Sequence, residues 1–125
     1  MKFVIIFFGF LLVSVQCTEK NKCESIRTGR FVYEDPEMSE YEIERTESTQ
    51  VETNLETGME IHCSVIWNSD CEYVLKYERF KNTSVNTESS IGREMTITVL
   101  EVNDKVFKCH LKSEYSDEDI TFRRL

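Results

Sequence analysis

Only two side chains in the sequence could act as a base near neutral pH, His62 and His110. Each stands next to a cysteine, in His62-Cys63 and Cys109-His110. Adjacent residues of a strand point to opposite faces, so neither pair can close on one metal ion. The cysteines also lack the short spacing of a structural zinc site. Between positions 34 and 47, seven acids (Glu34, Asp35, Glu37, Glu40, Glu42, Glu44, Glu47) crowd around one base, Arg45. A carboxylate pair that hydrolyses a glycosidic bond needs one member in an apolar pocket and the other solvated. Glu40, Glu42 and Glu44 instead alternate with Tyr41 and Ile43, which puts all three on one solvated strand face. No calcium loop, nucleophile elbow, H-E-x-x-H, phosphate-cradling or dinucleotide-binding motif occurs. The expectation is a protein without catalytic residues, metal or cofactor, with a hydrolase built on an unrecognised site as the third reading.

Cysteine chemistry points to covalent structure. After the N-terminal stretch, Cys23, Cys63, Cys71 and Cys109 remain, an even number that suits a disulfide framework in an exported chain. A tight turn at Asn68-Ser69 would set Cys71 opposite Ile66, so Cys63 and Cys71 are not partners. Two pairings then remain, Cys23–Cys71 with Cys63–Cys109, which is preferred, and Cys23–Cys63 with Cys71–Cys109. The plainer reading leaves one pair reduced and simply packed, since cysteine is among the most buried residue types.

The elements that carry these residues are strands. Met59, Ile61, Cys63, Val65 and Trp67 share one face of a period-two run, and Cys71, Tyr73, Leu75 and Tyr77 share one face of the next. Met95–Val99 and Phe107–Leu111 alternate in the same way, and shorter runs cover 31–34, 41–46, 49–53 and 120–124. Asn103-Asp104 reads as a hairpin turn between the sixth and seventh runs. Residues 81–92 form the one long polar connection. Eight strands joined mostly by tight turns predict an all-β fold, a small up-and-down antiparallel barrel, with an open curled sheet or a small sandwich as the alternative.

The inward faces are rich in rings: Phe31, Tyr33, Tyr41, Trp67, Tyr73, Tyr77, Phe107 and Phe122. Tyr33, Tyr41, Trp67, Tyr73, Tyr77 and Phe107 are the candidate lining of a site for a small apolar ligand. Against a pocket, strands averaging about six residues make a shallow barrel that its own side chains fill. The acidic face of Glu40, Glu42 and Glu44 is the candidate surface for a basic protein partner, whose approach negative charge would speed.

The N-terminus places the domain. Met1 and Lys2 precede the uncharged run FVIIFFGFLLVSV, too short to span a bilayer, so residues 1–17 read as a secretory signal. Two exits fit. Cleavage after Cys17 gives a soluble chain from Thr18; alternatively Cys17 becomes the lipidated first residue, with 18–28 as tether and 29–125 as the barrel domain. The formal charge of −8 excludes the basic stripe that nucleic acid requires, and a membrane would be met only through a lipid on Cys17.

Two resemblances emerge from these residues. Thr28-Gly29-Arg30-Phe31 is similar to the Gly-x-Trp entry of lipocalin-type barrels, with Phe31 in place of tryptophan. Such barrels often lay an arginine of the last strand, here Arg123 or Arg124, over that ring. The strings K-C-x4-T-G-x-F from Lys22 to Phe31, I-E-R-T from Ile43 to Thr46, N-L-E-T-G from Asn54 to Gly58, and I-W-x3-C-x-Y-x-L from Ile66 to Leu75 mark a second likeness. They resemble a family of small exported proteins or lipoproteins of Bacteroidetes whose cysteine pattern includes the positions of Cys23 and Cys71. Members sometimes carry a DNA topoisomerase IV label, which a short, acidic, exported chain does not support. The resemblance implies location and architecture. The resulting expectation is a monomeric, exported, non-enzymatic, lipocalin-like binding protein; the alternative is an acidic inhibitor or adaptor at the cell envelope.

Overall fold

The computed structural model describes residues 19–125; the expected signal segment 1–17 and the lipidation candidate Cys17 lie outside the described residues. A short helix, α1 (Glu19–Glu24), precedes eight strands: β1 (Gly29–Tyr33), β2 (Tyr41–Arg45), β3 (Thr49–Asn54), β4 (Glu60–Ser69), β5 (Glu72–Lys81), β6 (Glu94–Val102), β7 (Val106–Lys112) and β8 (Asp117–Arg124). Each strand pairs antiparallel with the next, and β1 returns to β8 through Phe31–Arg124, Val32–Arg123 and Tyr33–Phe122, so the sheet closes as an up-and-down barrel. Closure leaves no strand edge for another chain to extend. No helix among the described residues is long and apolar enough to cross a membrane.

All eight predicted runs form strands, but the long ones reach further than apolar alternation suggests. β4 and β5 have ten residues each. Their hairpin also differs from the expected one. β4 continues through Asn68 and Ser69, Ser69 pairs with Glu72, and the loop is Asp70-Cys71, with an irregularity between Trp67 and Ser69. Two polar residues read as a turn are thus the exposed end of a strand held by its neighbour's hydrogen bonds. Cys63 sits opposite Tyr77 in that pair, well away from Cys71.

Cys23 is bonded to Cys71, while Cys63 and Cys109 are both free and buried. The expected second bridge is therefore absent. Cys63 lies on β4 and Cys109 on β7, with β5 and β6 between them. Three strand spacings of about 4.8 Å far exceed the roughly 7 Å Cα separation that a disulfide tolerates. Both thiols pack inside the barrel, where burial pushes each up to about 12.

The two ends of the barrel differ. At one, residues 19–28, expected as a tether, fold back as a plug. Ile26 is 0% exposed and Cys23 is buried beside it. Arg124 donates from Nη1 to the Ser25 carbonyl (2.9 Å) and from Nη2 to Ser25 Oγ (2.7 Å). The Arg27 guanidinium lies 4.6 Å from the centre of the Trp67 ring. Beneath the plug, Phe107 meets Phe31 edge-on and stacks on Phe122, both at 5.0 Å between centroids. Gly29 admits this packing: its φ is +137°, and a Cβ there would come within 3.2 Å of Phe31 Cζ. The other end carries the longer connections, with Pro36–Met38 forming a 3-10 turn in loop 34–40.

Candidate functional site

The open half of the barrel holds a cavity of about 270 Å³. Its walls come from every strand. Tyr33 and Tyr41 stand at the mouth beside Met38, Tyr77 and Met95 face them, and Arg45, Gln50 and Tyr73 form the floor. Four of the six ring residues expected at a ligand site are therefore brought together: Tyr33, Tyr41, Tyr73 and Tyr77. Trp67 and Phe107 are not among them. Trp67 packs against Tyr73 at 4.6 Å under Arg27, and Phe107 belongs to the stacked core at the plugged end. The barrel is thus filled in one half and hollow in the other, because β4 and β5 are long enough to raise a wall above the packed layer.

The polar groups of the cavity come chiefly from β2 and β3. Ile43 faces inward, so Arg45 two residues on faces inward as well. Arg45 pairs with Gln50 across the β2–β3 hairpin, and from there Gln50 and Glu52 turn toward the interior while Val51 turns outward. Arg45 is 3% exposed. It donates from Nε to Gln50 Oε1 (3.0 Å), from Nη1 to the Ile26 carbonyl (2.8 Å) and from Nη2 to the Tyr73 hydroxyl (2.9 Å). Its guanidinium is 5.2 Å from the Phe31 ring centre and 4.6 Å from that of Tyr73. The arginine over Phe31 is thus Arg45 of β2 rather than Arg123 or Arg124 of β8; Arg124 is spent on the plug.

Glu52 was not singled out by sequence, yet it is the one carboxylate of β3 inside the wall. The Tyr33 hydroxyl donates to its Oε1 at 2.7 Å. Burial raises the Glu52 pKa above its ordinary 4.5, and the Tyr33 hydrogen bond opposes that rise only in part. Burial, and next the charge of Glu52, hold the Tyr33 hydroxyl well above its usual range. Burial first, then the Cys63 thiol and Glu52, push Tyr77 up to about 12. Both phenols therefore stay protonated as donors.

The acidic outer face is less uniform than alternation predicts. Glu42 is ion-paired with Arg30, and Glu44 lies opposite Arg30 in the β1–β2 register. Glu40 belongs to the turn before β2, where its carbonyl accepts from Leu55 N at 2.8 Å. A second acidic surface lies beside loop 34–40, where Glu34, Asp35, Glu37, Glu118 and Asp119 line a recess of about 500 Å³.

Both histidines lie on the outer face. His62 Nε2 is 3.0 Å from Glu60, and exposed His110 sits between Asp117 (2.6 Å) and Asp119 (2.7 Å). Hydrogen bonding to Asp119, then to Asp117, raises the His110 pKa above 6.5. A raised folded pKa gives a stabilisation that is complete below the unfolded value and fades as pH rises through the folded one. His110→Gln should therefore flatten a small decline in melting temperature above pH 6.5, the ordinary histidine value, while ligand binding is unaffected. Melting curves across that range check this.

No protein-family profile, curated protein or solved structure matches this chain.

Proposed function

We propose that the protein is an exported, non-enzymatic carrier that holds a small ligand in the open half of its barrel, in the manner of a lipocalin. The observation that carries this reading is the division of the interior: one end is sealed by a covalently tethered plug, and the other keeps a ring-lined cavity with a few polar groups at its floor. A disulfide suits a chain that folds outside the cytoplasm. The lining narrows the ligand from apolar to amphipathic, since Glu52, Gln50 and the phenols of Tyr33 and Tyr77 share the cavity with the rings. The adaptor reading gains less support, because Arg30 partly neutralises the β2 face.

A ligand bound only by the folded state raises the melting temperature, by the equivalent of about 2.7 kcal/mol at a hundredfold excess over Kd. Thermal shifts with a panel of small aromatic compounds should show such stabilisation in the native protein. Met95→Trp, which places an indole in the cavity, should abolish it at a folding cost of roughly 1–3 kcal/mol. A panel without shifts, or shifts that persist in a folded Met95→Trp protein, would remove the carrier reading.

A further inference from the structure

We propose that the cavity takes a small monocationic amine, with its ammonium on the Glu52 carboxylate and its body against the rings of Tyr33, Tyr41 and Tyr77. This rests on the carrier reading and gives its ligand a chemical class. Among the described residues Glu52 has a single hydrogen-bond donor, Tyr33. Among the described residues no lysine, arginine or histidine forms an ion pair with it. The one cationic side chain among the described residues lining the cavity, Arg45, has committed Nε, Nη1 and Nη2 to Gln50, Ile26 and Tyr73. A carboxylate offers about four lone-pair sites, so most of the acceptor capacity of Glu52 faces the cavity unused. An ammonium supplies the missing donors and the missing charge together, and ring faces attract the same cation.

Size and field agree with that chemistry. A volume of about 270 Å³ suits a small molecule rather than a lipid. The carboxylates beside loop 34–40 concentrate cations and repel anions. Glu34 is paired with Arg123, and Asp119 with His110 and Lys108, whereas Asp35, Glu37 and Glu118 have no ion-pair partner among the described residues. Burial raises the Glu52 pKa and a bound cation would lower it again, so binding is linked to proton release and weakens as pH falls.

The test is calorimetric titration of the disulfide-bonded protein with phenethylamine, its neutral analogue 2-phenylethanol and its anionic analogue phenylacetate, repeated with Glu52→Gln. The amine should bind at least about tenfold more tightly than the alcohol, and phenylacetate should not bind. Glu52→Gln should lose at least about thirtyfold in amine affinity, the scale of removing one partner from a buried charge pair, and leave the alcohol unchanged. Amine binding to the native protein should also release protons, and more of them at lower pH, which tests the same group without a variant. Alcohol that binds as well as the amine, or amine binding that survives Glu52→Gln, would overturn the amine assignment and leave the carrier reading standing. Failure of all three compounds, together with a silent thermal panel, would remove both.

Discussion

Serine at both Cys23 and Cys71 should lower the free energy of unfolding by about 4 kcal/mol, the largest loss expected from any covalent change in this chain. The bridge closes a loop of 48 residues, and the chain-entropy relation gives that figure for such a loop. At several degrees per kcal/mol for a domain of this size, the melting temperature should drop by roughly 15–30 °C. The effect has a structural component as well. Cys23 holds α1 and Ile26 over the end of the barrel, and without the bond the plug keeps the packing of Ile26, the hydrogen bonds from Arg124 and Arg45, and the Arg27–Trp67 contact. Urea denaturation of the oxidised protein and the double variant measures the difference. A loss below about 1 kcal/mol would mean that the plug is held by packing alone. Cys63→Ala and Cys109→Ala variants should keep the native connectivity, because those thiols are unbridged.

The barrel was legible because its signals are redundant. Each predicted run alternates in period two, turn-forming residues such as Asn103 separate the runs, and the short connections leave antiparallel neighbours little choice. Asn103 shows the mechanism: its Oδ1 accepts from Lys105 N and Val106 N, both at 2.9 Å, which turns the chain between β6 and β7. The Cys23–Cys71 bond was also expected, and the Cys63–Cys109 bond was wrongly added to it, because cysteine parity says nothing about which strands stand opposite in a closed barrel.

The site was half legible. Tyrosine alternation located four of its rings. Its polar groups were hidden, because β3 inverts the usual rule: Val51 is its apolar residue and points out, while Gln50 and Glu52 point in. The information existed one hairpin away. Ile43 facing inward requires Arg45 to do so, and the tight turn at 46–48 carries that orientation across to Gln50 and Glu52. Register, rather than residue type, decides the face.

Arg45 is where that register has its largest energetic consequence, and Arg45→Met should cost about 3–5 kcal/mol of stability. Two effects oppose each other. Removing a buried guanidinium that has no carboxylate partner among the described residues relieves a desolvation penalty. It also strands Gln50 Oε1, the Ile26 carbonyl and the Tyr73 hydroxyl, each worth about 1–3 kcal/mol when buried and unpaired, and forfeits the contact of the cation with two ring faces. Three stranded groups outweigh the relief. Arg45→Lys should fall nearly as far, since one ammonium cannot reach three acceptors that a planar fork spans. The coupling with the disulfide is the sharper measurement. Ile26 accepts from Arg45 only while the plug is seated, so in the Cys23/Cys71 double-serine background Arg45→Met should cost measurably less than in the bridged protein. Residues that act through one structure depart from additivity by about 0.5–3 kcal/mol. Equal costs in the two backgrounds would show that Arg45 braces the floor of the cavity independently of the plug.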